Sequence, residues 1–208
     1  MEQKDQEQGQ ASTESTVVVT DGAAAASSAK SETWEWIKAL LIAGVLVVLI
    51  RWLIFAPFIV DGPSMEPNFE SKERLIVNKI LYTFRKPLRG EVVVFHANAE
   101  QDYIKRVIAL PGEKVRVEGD KVYINGEELD QPYLKEAIEK AHKAGRAYNK
   151  LNFPETVVPE GTLFVLGDNR GNSKDSRSPD VGFIEYDRVV GRADLIFWPL
   201  GKISLVHF

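Results

Sequence analysis

The chain has no cysteine and only three histidines in 208 residues. The first absence excludes a disulfide framework, a thiol nucleophile and any cysteine-ligated zinc site. It leaves the compartment open, because disulfide-free proteins occur on both sides of membranes. His96, His142 and His207 share no local ligand spacing of the HxxxH kind, so nothing supports a histidine-built metal site. No metal and no cofactor are expected. Basic excess is also lacking. Seven acids against Lys4 and Lys30 leave −5 on residues 1–35, and the whole-chain charge of −4 then leaves +1 on the remainder. A nucleic-acid partner usually shows itself as a basic stripe, and none is expected. Hydrophobic residues at 44% and charged residues at 27% are ordinary globular values, which excludes wholesale disorder, collagen and a multi-span membrane protein.

Residues 1–33 are polar and small, with an alanine run at 23–26. They hold too few large apolar side chains to offset the entropy of ordering, and read as a disordered acidic tail; an alanine-rich helix is the alternative. Composition then changes sharply. Trp34 and Trp36 precede an unbroken apolar run over 39–50, which resumes after Arg51 and continues to Val60 with Pro57 as a breaker. The run alone would rise about 18 Å as a helix, short of the ~30 Å hydrocarbon core. The twenty residues from Trp36 to Phe55 suffice. Lys38 and Arg51 would snorkel to opposite faces, and tryptophans sit at both ends, as interfaces favour. The segment 34–57 is therefore expected to be a transmembrane helix. A cleaved signal peptide would need a short cationic start and a small-x-small site, whereas a long acidic segment precedes and large residues follow. A buried core helix is the other reading, although no polar face appears in the run. Lysines and arginines on the two sides give no orientation by the positive-inside rule.

Past residue 74 the pattern turns strand-like. Short β-branched runs occur at 74–78, 91–95 and 102–110, the last ended by Pro111-Gly112. Residues 114–118 and 121–124, joined by Gly119-Asp120, read as a hairpin followed by a tight Asn125-Gly126 turn. Residues 131–145 are the one helical stretch, with Leu134, Ile138 and Ala141 at helical spacing. A strand at 162–166 runs into a turn-rich segment, and 188–197 supplies one or two last strands. Short strands with glycine and proline turns imply an all-β or mostly β domain with one inserted helical piece.

Three segments can carry chemistry. Ser64, between Pro63 and Met65 in Gly62-Pro63-Ser64-Met65-Glu66-Pro67, lies in a constrained turn. Most such serines are turn residues only, and a nucleophilic one needs a base. No histidine has neighbours that single it out. A lysine serves only when unprotonated, which burial among apolar groups promotes. Lys105, in Tyr103-Ile104-Lys105-Arg106-Val107-Ile108-Ala109-Leu110, sits in such a strand. It is expected to share a face with Tyr103, Val107 and Ala109 while Arg106 points the other way. One of the two cations must then point inward or be paired; an edge-strand lysine guarding against aggregation is the alternative. The third segment, Gly167-Asp168-Asn169-Arg170-Gly171-Asn172-Ser173-Lys174-Asp175-Ser176-Arg177, crowds acids, cations and hydroxyls after an apolar strand. It is either a solvated turn or a shell that orients other side chains.

In that order, PSMEP, DYIKRVIALPG and GDNRGNSKDSR resemble the motifs of the type I signal peptidases, membrane-anchored serine endopeptidases with a Ser–Lys dyad. Arg89-Gly90-Glu91-Val92-Val93-Val94-Phe95 is similar to a further strand motif of that family. The likeness covers about 34–208. It implies a signal-peptidase-like, mostly β catalytic domain over 58–208, with a helical insertion at about 128–160, on a single N-terminal transmembrane helix. It implies Ser64 as nucleophile and Lys105 as general base. Ser173 would hydrogen-bond the lysine amine, Asp175 and Arg177 would form a supporting ion pair, and the Ser64 N–H would donate to the oxyanion. Phe58, Val60, Met65 and Ile104 would line shallow pockets for small residues at the first and third positions before the cleaved bond, in a substrate that adds to a sheet edge.

The partners so implied are preprotein signal peptides and the lipid bilayer. The implied location is the cell membrane, single-pass, tail in the cytoplasm and catalytic domain outside, more like the Gram-positive form. The short tether would hold Ser64 near the bilayer surface. Oligomeric state is not implied. Departures from the family pattern are Pro63, Asn68, Ala109 and Gly62. Ala109 is acceptable where glycine is usual only if its backbone is not left-handed. Gly62 takes the place of a hydroxyl that in some relatives gives a second oxyanion donor. The competing functions are a self-cleaving Ser–Lys regulator, against which the span argues, and a non-catalytic membrane-tethered binder of secretory proteins, against which the intact serine and lysine argue.

Overall fold

Helix α1 runs Gly22–Leu53 in the computed structural model, which describes residues 22–207. Its stretch Glu32–Ile50 is long and apolar enough to cross a bilayer, and its side chains are exposed. A helix that is apolar all round has no place in water unless something covers it. Both expected ends of this segment shift. Residues 22–33 belong to the helix instead of the tail, in keeping with the helix preference of an alanine run; the rest of the expected tail, 1–21, lies outside the described residues. At the far end the helix stops at Leu53, before Pro57, which a helix interior does not accept.

Strand β1 (Phe55–Ile59) begins there, at the edge of a sheet where the missing proline N–H breaks no ladder. In chain order there follow β2 (Arg74–Asn78), the single turn α2 (Leu81–Phe84), β3 (Val92–His96), β4 (Asp102–Ala109), β5 (Lys114–Glu118), β6 (Lys121–Ile124), β7 (Glu127–Glu128), α3 (Lys135–Lys143), β8 (Phe153–Val157), β9 (Thr162–Leu166), β10 (Ile184–Glu185), β11 (Val189–Trp198) and β12 (Ser204–Leu205). The chain splits into two units, one up to Leu46 and one from Val47. The second is mostly β. Its larger sheet has the order β1-β2-β11-β3-β4-β9-β10, with β12 on β11, and its smaller sheet the order β7-β6-β5-β8. The pairings are antiparallel.

The strands expected at 74–78, 114–118, 121–124 and 162–166 form at those positions. The one or two strands expected over 188–197 form as one long strand, β11. The insertion at 128–160 is not wholly helical: a 3-10 turn (Pro132–Leu134) leads into α3, but β8 pairs with β5. Pro154 inside Phe-Pro-Glu-Thr-Val masks that strand in the sequence.

Apolar residues gather in three places. Met65 and Phe69, from the β1–β2 loop, are buried with Val60, Leu75, Val77, Val92 and Ile104 on one face of the larger sheet. Val93, Phe95, Val107, Leu163 and Val165 pack on the other face. Val115, Val117, Val122 and Ile124 of the smaller sheet meet Ile108, Ala109, Phe164 and Leu166 of the larger, and the Phe153 and Phe164 rings, 4.8 Å apart, join the two. Ala109 therefore does not share the Val107 face as alternation predicts. A bulge between Val107 and Ala109 inserts one residue and resets the alternation. Ala109 lies in extended backbone at this strand end, so its methyl is accommodated.

Candidate active site

Ser64 sits in the loop between β1 and β2. The loop is closed at its base by Val60 N–H to the Glu73 carbonyl (2.9 Å) and Lys72 N–H to the Val60 carbonyl (2.8 Å). Within it, Glu66 N–H donates to the Pro63 carbonyl (3.1 Å) and Phe69 N–H to the Met65 carbonyl (3.0 Å), making tight turns. Buried Met65 and Phe69 root these turns in the core and leave Ser64 at the surface of the domain, half-buried. A second segment grips the loop from outside. Asn169 donates its backbone N–H to the Ser64 carbonyl and its side-chain amide to the Pro63 carbonyl, both at 3.0 Å.

Lys105 comes from β4, held between β3 and β9. Its residue surface is 3% exposed. The amine donates to Ser64 Oγ at 2.9 Å and to the Ile104 carbonyl at 2.7 Å, and lies 5.2 Å from the centre of the Tyr103 ring. Burial pushes its pKa down to about 8, against the pull of the Asp175 and Asp168 carboxylates, which favour the charged form. Its neighbour Arg106 is equally buried but paired. Arg106 donates Nε to Asp168 Oδ1 (2.9 Å) and Nη2 to Oδ2 (2.7 Å), and its guanidinium lies 4.0 Å from the Tyr133 ring centre. Burial opposes the Arg106 charge, yet the two Asp168 bonds outweigh it and hold the pKa above its ordinary value. The two cations thus resolve differently: one is paired with a carboxylate, the other has no such partner and holds its proton less tightly.

The Gly167–Arg177 segment is not a solvated turn: Asp168, Arg170, Asp175, Ser176 and Arg177 are buried. Asp175 and Arg177 form a fully buried pair, Nε to Oδ1 at 2.8 Å and Nη2 to Oδ2 at 2.7 Å. Asp175 also accepts from the Gly167 N–H (3.0 Å), and Arg177 donates to the Arg170 carbonyl (3.0 Å) and to Asn149. Asp168 further accepts from Asn68 (2.8 Å), which ties the strand of Lys105 to the loop of Ser64. Gly167 is required by close approach: a Cβ there would come within 2.5 Å of the Ser64 carbonyl oxygen and closer still to Ser173 Oγ.

Of the residues singled out by sequence, Ser64, Lys105, Ser173, Asp175 and Arg177 come together here. The hydrogen bond expected between Ser173 and the lysine amine is not formed. Ser173 Oγ is buried without a partner, pressed against Gly167, and Lys105 uses the Ile104 carbonyl instead. Phe58 and Ile104 line a cleft of about 320 Å3 that opens beside Ser64 and Lys105, between the end of β1 and the start of β4. Val60 and Met65 do not line it; they are buried in the core beneath, because the turn geometry points them inward. Ile59 and Tyr103 take wall positions that the sequence did not single out, and Asp102, Asp61 and Lys174 rim it. Gly62 has a left-handed φ of +90°, and its N–H donates to Ser71 Oγ at 3.3 Å. The roles of Asp168 and Asn169 were within the GDNR motif but unread, since only folding shows which loop each one grips. Among the described residues no three potential metal ligands cluster.

A polarised hydroxyl against a buried, deprotonatable amine, beside an open cleft walled by sheet edges, is suited to nucleophilic attack on an extended peptide. The chain is also similar to known proteins. The family model described as signal peptidase, peptidase S26, matches residues 33–198. The chain is similar to a signal peptidase I of Bacillus amyloliquefaciens, 40% identical over 177 residues, covering 85% of this chain and 94% of the relative. It is similar to signal peptidase IB of Staphylococcus aureus, 39% identical over 184 residues, covering 84% and 94%. A crystal structure of a signal peptidase I from Enterococcus faecalis is 37% identical, with a TM-score of 0.46, covering 52% of this chain and 97% of that one.

Proposed function

The chain belongs to the signal peptidase family, peptidase S26, and is a serine endopeptidase that removes signal peptides; we propose that it does so with Ser64 as nucleophile and Lys105 as general base. The observation that carries this reading is the 2.9 Å contact between an amine that no carboxylate pairs and the Ser64 hydroxyl. With the amine neutral the contact reverses, and the hydroxyl donates to the nitrogen lone pair. Ser64 Oγ attacks the scissile carbonyl carbon as Lys105 takes its proton. The Ser64 N–H donates to the oxyanion that forms. Lys105 then passes the proton to the departing amine as the C–N bond breaks, leaving an ester on Ser64. A water, deprotonated by the same amine, attacks that ester, and Ser64 recovers its proton. A side-chain donor from position 62 has no part in this scheme, since that residue is glycine.

Asp175, Arg177 and Asp168 act as positioning residues that hold Gly167, β4 and the Ser64 loop together. Ser173 belongs to the same shell through its packing on Gly167. Phe58 and Ile104 accept the small side chains before the cleaved bond; the bulk of Phe58, Ile59 and Tyr103 in the cleft wall supports a preference for small residues there. Helix α1 anchors the enzyme in the lipid bilayer of the cell membrane as a single span, with residues 1–21 cytoplasmic and the β domain outside. Exposed Trp198, Leu200, Ile203 and Leu205, gathered on β11, β12 and the turn between them, support a domain that works against lipid. The test is cleavage of a preprotein by full-length Ser64→Ala and Lys105→Ala enzymes. Each is expected to lose at least a thousandfold in rate, and full activity in either variant removes the dyad. Loss of serine-acylator labelling in Ser64→Ala separates an active enzyme from a mere binder.

A further inference from the structure

A second hollow, of about 440 Å3, meets the Ser64 turn two residues further along. Glu66 and Pro67 form part of its wall, and so does Asn169, the residue that holds the Ser64 and Pro63 carbonyls. The opposite wall is α3, where Ala137, Lys140 and Ala141 share one face. The two alanine methyls leave the space that larger side chains would fill. Arg146, Tyr148 and Lys150, from the segment after α3, complete it.

The charge of this hollow is lopsided. Lys140, Arg146 and Lys150 face it against the single acid Glu66. Elsewhere on the domain Lys72, Lys121, Lys174 and Lys202 each meet a carboxylate, whereas Lys135 and Lys143 of α3 make no ion pair among the described residues. Lys140, Arg146 and Lys150 make no ion pair or side-chain hydrogen bond among the described residues. The segment that carries two of them is fixed to the shell around Ser64. The Tyr148 hydroxyl donates to the Asp168 carbonyl at 2.7 Å, and Asn149 accepts from Arg177. Three exposed cations are thus carried beside the Ser64 turn, two of them on a segment tied to its shell, outside the cleft that takes the residues before the cleaved bond.

We propose that this hollow receives an acidic side chain from the departing, mature side of the preprotein. The inference rests on the reading of Ser64 as the nucleophile. With the scissile carbonyl at Ser64 and the preceding residues in the Phe58–Ile104 cleft, the chain beyond the bond leaves along the Ser64–Pro67 turn. Two to four extended residues reach about 7–14 Å, so the favoured acid lies within the first few positions after the bond. The attraction is between partly exposed charges and is weakened by salt.

The experiment compares cleavage of one preprotein with Ala, Asp or Lys placed singly at the second to fourth positions after the bond. It uses the full-length enzyme and its Lys140→Ala/Arg146→Ala/Lys150→Ala and Arg146→Glu variants, in neutral detergent. The wild type is expected to favour Asp over Ala by about three- to tenfold in kcat/KM, less at 0.5 M salt. The triple variant brings that ratio to about one, and Arg146→Glu shifts preference towards Lys. An equal ratio in wild type and triple variant overturns the proposal. So does a loss that strikes Ala and Asp substrates alike and appears only in anionic phospholipid vesicles, which assigns the hollow to lipid headgroups. Failure of the underlying reading looks different: Ser64→Ala would then still cut the Ala substrate.

Discussion

Arg106 and Asp168 meet through two parallel hydrogen bonds, 2.9 and 2.7 Å long, on the face of β4 opposite Lys105. From there Asp168 favours the charged form of Lys105, as Asp175 does more strongly, but neither carboxylate hydrogen-bonds the amine, which donates to Ser64 Oγ and the Ile104 carbonyl. A cation with a carboxylate at hydrogen-bond distance keeps its proton; a buried cation without one tends to shed it. Adjacent positions on one strand, pointing to opposite faces, thus receive opposite electrostatic fates. The remaining charges around Lys105 favour its protonated form only from a distance.

Catalysis needs the neutral amine, so rate follows its deprotonation. With a Lys105 pKa of about 8, kcat/KM is expected to rise through pH 8 and to fall about tenfold per pH unit below it. A pH–rate profile on a preprotein checks this; a rate that stays level down to pH 5 rules out a lysine base.

The same shift makes Lys105 a burden on the fold. Its proton is held more weakly in the folded chain, near 8, than in the unfolded chain, near the ordinary ~10.4. Between those values the unfolded state binds more protons, so stability rises with pH, and below 8 the whole penalty applies. Replacing the amine by an apolar group of similar length, Lys105→Met, is expected to raise stability at pH 7 by on the order of 1–3 kcal/mol, reduced by the lost bonds to Ser64 and Ile104. Thermal unfolding of full-length enzyme reads the change, and a lower Tm contradicts it.

Asp175 both pairs with Arg177 and favours the charged form of Lys105. Asp175→Asn leaves a buried guanidinium unpaired, with an expected loss of about 3–5 kcal/mol. It also lets Lys105 lose its proton more easily, so the acid limb of the pH–rate profile should move to lower pH. Denaturant unfolding and the pH profile test the two effects separately, and an unmoved limb in a folded variant denies the coupling.

Gly167 is where a single methyl group should matter most. Its Cβ would lie 2.5 Å from the Ser64 carbonyl oxygen, a backbone atom that moves only with the nucleophile's own turn. Gly167→Ala is expected to lower kcat/KM about a hundredfold or more, since small displacements at a reacting centre have effects of that size. Gly201→Ala, with nothing near its Cβ, is the control and should stay near wild-type activity.

Sequence alone determined what local pattern can determine. The apolar run before Arg51, the β-branched runs of β2, β5, β6 and β9, and the turn residues between them follow from periodicity and turn chemistry, which act over a few residues. The motifs around Ser64, Lys105 and Gly167–Arg177 were legible through their order and their resemblance to the type I signal peptidases; each taken alone also fitted a plain turn or an edge strand. The tertiary structure decided the rest. It put Val60 and Met65 into the core, used Ile59 and Tyr103 as cleft walls, and left Ser173 Oγ without the hydrogen bond expected of it. A bulge sent Ala109 to another face, and pairing with β5 made a strand of a segment broken by proline. Above all, it chose which of two neighbouring cations would be paired. Burial and partner choice depend on residues distant along the chain, 62 positions for Arg106 and Asp168 and 41 for Lys105 and Ser64, and only packing brings these into contact.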